Sequence, residues 1–168
     1  MAFSRTDPRY GIINLLSQSD TLYRTPSEKI CEIEKYSLFH YKRPPSPTIA
    51  SIDNRATNEE AGVSINQKAA NTPVLIVYAF INRHYILDLL PEVSVVRSLL
   101  NQGLDIFAAD WGTPSTYDKS LTIGHFVNSY LDKSIDLIRT ITKSEKGSLF
   151  GYCWGGDLAL MYASILKR

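Results

Sequence analysis

From Pro73 onward, unbroken apolar runs alternate with apolar residues at helical spacing, and this alternation carries most of the fold information in the chain. Residues 74–80 are apolar without a break, the pattern of a strand covered on both faces. Residues 92–102 then place Val93, Val96, Leu99 and Leu100 at helical spacing, with Gly103 as the stop. Residues 104–109 predict a second buried strand, ended by Asp110, Trp111 and Gly112. Thr122 stands where it can cap a long helix whose apolar stripe runs through Ile123, Val127, Tyr130, Leu131, Ile135, Ile138 and Ile141. Residues 148–152 predict a third strand, and Leu158 to Tyr162 open a last helix. Strand and helix in strict alternation imply an α/β fold, a mostly parallel sheet with covering helices.

The chain before Pro73 has another texture. Ile12, Ile13, Leu15 and Leu16 predict a short amphipathic helix. Thr25, Pro26, Ser27 and Glu28 read as a helix start, with proline just inside it and an acid in the first turn. Residues 35–41 are rich in aromatics and predict a strand, which Pro44, Pro45 and Pro47 stop. Residues 48–72 hold few large apolar side chains and read as a loop or linker, longer than compact domains usually carry. The domain reading is therefore an N-terminal helix and strand region at 1–47, a loop or linker at 48–72, and a core at 73–168.

Charge and composition narrow the function classes. Eighteen basic residues against 17 acidic leave a net charge of +1, without the basic surplus that draws a chain to nucleic acid. With 44% hydrophobic and 21% charged residues, whole-chain disorder is excluded. The longest apolar run, 74–81, falls far short of the roughly 20 residues of a membrane span. The N-terminus breaks into charge and proline before any signal-peptide core forms. Cys31 and Cys153 make no disulfide framework, so a cytoplasmic protein with reduced thiols is expected.

The sharpest chemical signal is Gly151-Tyr152-Cys153-Trp154-Gly155-Gly156, placed where a predicted strand meets a predicted helix. A nucleophile on such a turn needs small neighbours, because other backbone must pass close by. This is the nucleophile elbow, with Cys in place of the more familiar Ser. The thiol would lie at a helix N-terminus, which favours thiolate, while Asp157 in the first turn works against it. Gly151 and Gly155 are expected to admit neighbouring backbone, and Gly156 to let the helix pack on the sheet. The plain alternative is a small buried cysteine in a glycine-rich turn. An elbow also needs an oxyanion hole. One donor is the backbone N–H of Trp154; the other comes from the loop after the first core strand, where Phe80 is favoured over Ile81.

Three segments together carry a family resemblance. Residues 77–89, Asp110-Trp111-Gly112-Thr113-Pro114 and Gly151 to Gly156 resemble, in order and spacing, the signatures of polyhydroxyalkanoate synthases. Weaker similarity extends upstream through Thr25, Pro26 and residues 35–44. The resemblance implies the N-terminal part of an α/β-hydrolase fold, truncated after the elbow helix. It implies an acyltransferase that polymerises (R)-3-hydroxyacyl groups from coenzyme A thioesters through a cysteine acyl-enzyme, Cys153, needing no cofactor beyond its substrate. The short N-terminal region is most similar to the shorter catalytic subunits. These pair with a second small subunit, self-associate, and work in the cytoplasm at polyester granules.

Two departures stand against that pattern. The 48–72 linker is longer than the family's usual connection. The hydrolase order is nucleophile, acid, then His, yet no His follows Cys153 and the one acid that does, Asp157, lies in the elbow helix. The base and its orienting acid are therefore expected outside this chain, which alone should lack synthase activity. Of the three histidines, His84 has the best claim to a site because its loop borders the expected oxyanion hole, although an exposed loop residue is the default. His125 is expected at the surface, and His40 to pack by its ring. Cys31 reads as a half-buried hydrophobe, and Asp110 and Trp111 as structural. No Cys or His pair has metal-ligand spacing. Two other functions fit the motif: a thiol hydrolase acting on a small ester or lactone, and a non-catalytic interaction module.

Overall fold

The structure, a computed structural model, describes residues 25–43, 72–81 and 83–165. The helix expected at 12–16, the proline stop at 44–47 and all but the last residue of the 48–72 loop lie outside them. The strands are β1 (Ser27–Ile33), β2 (Tyr36–Tyr41), β3 (Pro73–Val77), β4 (Asp105–Asp110) and β5 (Ser148–Gly151). The helices are α1 (Val95–Asn101), α2 (Asp132–Thr142) and α3 (Trp154–Ile165). The strands form one sheet in the order β1-β2-β4-β3-β5.

The sheet is mixed and packed with helices, within the expected α/β class, and its three core strands pair in parallel. β3 pairs parallel with β4 and with β5. β1 pairs antiparallel with β2, and β2 antiparallel with β4. At residues 25–28, where a helix start was expected, the chain instead enters strand β1 at Ser27. Ser27 lies opposite Tyr41 and Ile33 opposite Tyr36, and the Lys42 N–H closes the hairpin onto the Pro26 carbonyl at 2.8 Å. Ile30, Cys31 and Ile33 pack on the core, so cross-strand pairing outweighs the local capping signal.

Alternation along the strands sorts the core onto two faces. Leu38, Leu75, Val77, Phe107 and Ala109 face Tyr130, Leu131 and Ile138 of the second helical segment and Leu158 and Tyr162 of α3. Val74, Ile76, Ile106 and Ala108 face Val96 and Leu100 of α1. β3 is buried throughout, as its unbroken apolar run predicts.

The helical segment that begins at Ile123 is less regular than its stripe implies. An α-helical turn, Ile123–His125, passes into a π-helical stretch, Phe126–Leu131, and then into α2. Thr122 holds the N-cap backbone conformation but makes no side-chain capping bond, contrary to expectation. The wider π turn brings Phe126 and Tyr130 against Trp111 and Tyr36, while Ile123 and Ile141 at the stripe's ends stay exposed. α3 opens at Trp154 instead of Leu158, directly after the turn at Cys153.

Asp88 ties the hairpin to α1. Its carboxylate is 1% exposed and accepts from the Thr25 N–H (2.6 Å), the Thr25 hydroxyl (2.9 Å) and the Ser94 hydroxyl (2.5 Å). Ser94 in turn caps α1 by accepting the Arg97 N–H at 2.9 Å. Asp88→Ala strands three donors in the interior and is expected to cost about 3 kcal/mol. Ser94→Ala should cost about 1 kcal/mol. Urea denaturation of the two variants checks the ranking.

Candidate active site

The site grows from the β3–β5 seam. Val77 lies opposite Gly151, and one residue later the Tyr152 N–H donates to the Val77 carbonyl at 3.0 Å. The chain then reverses through Cys153, which holds a φ of 54°. The Gly155 N–H bonds the Tyr152 carbonyl (3.0 Å) and the Gly156 N–H the Cys153 carbonyl (2.8 Å), and α3 follows. A non-glycine residue in that region costs on the order of 1–3 kcal/mol and persists only where its surroundings hold it. Cys153 is exposed, at the C-terminal end of β5 and the N-terminal end of α3.

The glycines divide the work differently from the sequence reading. A Cβ on Gly155 would lie 1.9 Å from the Val77 carbonyl oxygen, and one on Gly151 would lie 2.5 Å from the Gly156 Cα. Gly156, expected to be the packing glycine, is not: its Cβ would meet only ordinary contacts, at 3.8 Å and beyond. The close approach between helix and sheet falls one residue earlier, because the turn at Cys153 directs Gly155 onto β3.

Trp154 opens α3, where backbone N–H groups have no intrahelical partner. Phe80 follows β3 by three residues, so it and Cys153 leave the same end of two paired strands. The Tyr78 and Tyr152 rings stack at 5.3 Å along that seam. Two clefts lie elsewhere. One of about 350 Å³, bordered by Pro73, Ile138, Ser148 and Tyr162, opens at the opposite end of the sheet. One of about 260 Å³ lies beside Phe39, Tyr41, Arg83 and His84.

All three histidines are engaged away from the elbow. His84 is not an exposed loop residue: its side chain is 11% exposed, its ring stacks on Phe39 at 4.1 Å, and its Nδ1 lies 2.5 Å from Asp110 Oδ2. His40 stacks on Phe107 at 4.3 Å and meets Asp105 at 2.7 Å. His125 is half-buried, 3.9 Å from Glu34. Cys31 is half-buried, as expected. Asp110 accepts the Gly112 N–H at 2.7 Å, and the Trp111 indole N–H donates to the Tyr78 carbonyl at 2.7 Å. Sequence reading singled out Asp110 and Trp111 as a strand end, but nothing in the spacing pointed to their partners. Among the described residues, no three His, Cys, Asp or Glu side chains gather as a metal site, and no helix is long and apolar enough to cross a membrane.

Burial pushes the Asp110 carboxyl up, but the His84 and Gly112 hydrogen bonds and the charges of His84 and Arg83 outweigh it and hold it below its ordinary 3.8. A lowered carboxyl contributes stability above its unfolded value, lost as pH falls through the folded one. Asp110→Asn should therefore destabilise by about 1–3 kcal/mol near pH 7, and the gap to wild type should close below about pH 4. Denaturation midpoints across that range are the check. At the elbow, Gly155→Ala should cost about 3 kcal/mol or more by overpacking, whereas Gly156→Ala should be neutral or stabilising by up to about 1 kcal/mol. Equal losses in both variants would contradict this division.

Residues 63–99 match the family model described as the N-terminus of poly-beta-hydroxybutyrate polymerase (PhaC). The poly(3-hydroxyalkanoate) polymerase subunit PhaC of Haloarcula marismortui is 37% identical over 154 residues, covering 91% of this chain and 29% of the relative. The subunit of the same name from Haloferax mediterranei is 38% identical over 145 residues, 86% of this chain and 25% of the relative. That from Synechocystis is 45% identical over 93 residues, 55% of this chain and 25% of the relative. The chain thus spans between a quarter and a third of the length of these three relatives. On these comparisons the chain is similar, over most of its own length, to poly(3-hydroxyalkanoate) polymerase subunits.

Proposed function

We propose that this chain supplies the nucleophile and oxyanion hole of a polyhydroxyalkanoate synthase built on an α/β-hydrolase fold. The observation that carries the reading is Cys153, held at a φ of 54° on a strand-to-helix turn between two glycines that admit no Cβ. The polymerase names of its relatives support it.

In this mechanism the Cys153 sulfur attacks the carbonyl carbon of an (R)-3-hydroxyacyl coenzyme A thioester. The carbonyl oxygen takes up the negative charge and is met by the backbone N–H groups of Trp154 and Phe80. Collapse breaks the bond to the coenzyme A sulfur, which leaves as thiolate and is protonated, and the acyl group stays on Cys153. The 3-hydroxyl of another unit then attacks this thioester. An ester bond forms, the hydroxyl proton is lost, and the cysteine sulfur is freed. Removing that proton requires a general base. With His40, His84 and His125 engaged elsewhere, the base and its orienting acid come from outside these residues. A coenzyme A thioester is the only small molecule the reaction needs. A second small subunit, self-association and cytoplasmic work at polyester granules complete the reading by analogy with the short synthases.

Intact-mass measurement after incubation with (R)-3-hydroxybutyryl coenzyme A tests the reading. One hydroxyacyl adduct should form slowly on the chain, persist in Cys31→Ala and vanish in Cys153→Ala, with no polymer made. An adduct that survives Cys153→Ala would refute the nucleophile. Polymer formed by this chain alone would place the base within it and return His84 and His125 to consideration.

A further inference from the structure

We infer that Trp111 is a positioning residue for the oxyanion donor at Phe80, an inference that rests on the nucleophile reading of Cys153. β3 ends its ladder at Val77, and the three residues that follow must be held without strand partners. Trp111 holds them at two points. Its indole N–H donates to the Tyr78 carbonyl at 2.7 Å, and its ring packs against the Phe80 ring at 5.2 Å and 57°. Tyr78 is 7% exposed and this bond is buried, so its carbonyl would be costly to leave unpaired.

The clamp is itself supported. Phe126 packs on Phe80 at 4.6 Å and on Trp111 at 5.5 Å, and Tyr36 lies 5.4 Å from Trp111. Trp111 is 3% exposed, so the indole cannot swing away without repacking these rings. On the other side, Gly155 sits against the Val77 carbonyl and the Tyr78 backbone, and the Tyr152 ring stacks on Tyr78. The segment carrying the Phe80 N–H is thus held between the elbow and Trp111. An oxyanion donor acts at full strength only within a few tenths of an ångström of its place. Trp111 fixes that place from beneath, through the peptide two residues earlier and through the ring of the donor residue.

Acyl transfer and alkylation at Cys153 respond differently to such positioning. Transfer from a thioester passes through an oxyanion, whereas iodoacetamide alkylation displaces iodide at a saturated carbon and does not. Trp111→Phe keeps a ring beside Phe80 but loses the donor. It should slow acylation by (R)-3-hydroxybutyryl coenzyme A about tenfold or more. The loss should fall on the maximal rate and not on the half-saturating concentration, and alkylation should be unchanged. Replacing the indole of Trp111 by benzothiophene removes only the N–H and should give the same split; it decides the matter if Trp111→Phe folds poorly. Acylation at the wild-type rate in either folded variant overturns the inference alone. Equal slowing of acylation and alkylation also overturns it, because the residue would then be merely structural. Wild-type chain that alkylates but never acylates overturns the nucleophile reading and this inference with it.

Discussion

The contact between Gly155 and the Val77 carbonyl decides how the C-terminal part of this chain can be arranged. β3 lies between β4 and β5 and is buried along its length, so it cannot yield to accommodate a helix. α3 reaches the sheet only because position 155 has no side chain. Once it is seated there, the turn before it has little freedom. Gly151 and Gly156 meet backbone to backbone, Tyr152 bonds back to Val77, and the residue left at the apex must take a positive φ. Helix packing thus creates the strained position, and the strained position lifts the thiol clear of the surface.

Three non-glycine residues hold positive φ among those described, and two have ordinary reasons. Glu34 turns the β1–β2 hairpin, and Lys143 ends α2 in the left-handed conformation common at helix C-termini. Cys153 neither joins a hairpin nor ends a helix; it stands between a parallel strand and the first turn of a helix. Glycine would relieve the backbone there, so the side chain is present at an energetic cost. Strain of this kind, retained at an exposed sulfur, points to chemistry more firmly than the motif's letters do.

Much of the architecture was legible because its signals are strong and local. The unbroken runs at 74–80 and 104–109 mark buried strands, and the glycine-flanked cysteine marks a tight strand-to-helix turn. The failures share one physical cause: long-range contacts invisible in local spacing. Residues 25–28 carry a sound helix-start signal, yet from Ser27 onward pairing with β2 makes the chain a strand. Gly156 and Gly155 are equivalent in a motif, and only the direction of approach to β3 separates them. His84 and Asp110 are 26 positions apart, Thr25 and Asp88 63 apart, and no periodicity joins either pair. The π turn at Phe126–Leu131 is set by the aromatic cluster around Trp111, to which the stripe of apolar residues gives no clue.

In the proposed reaction, a cysteine nucleophile also bears on how the chemistry divides. A thiol attacks usefully even when a few per cent is ionised, so acylation depends less on a base than it would with serine. An alcohol has no such reserve, so in the proposed cycle transfer onto the incoming 3-hydroxyl would depend on a base in full. The elements assembled here, a held sulfur beside two candidate backbone donors, suit the first half of that cycle. The surroundings point the same way. β5 is an edge strand, and Tyr152, Trp154, Leu160 and Ile165 are exposed around and beyond Cys153. α3 is apolar on its exposed side as well as its buried one, the pattern of a helix meant to be covered on both. Backbone donors stabilise an oxyanion far better once water is excluded. On the proposed reading, coverage of that face would strengthen the oxyanion hole as well as the fold, since the exposed apolar residues and the thiol lie at one edge.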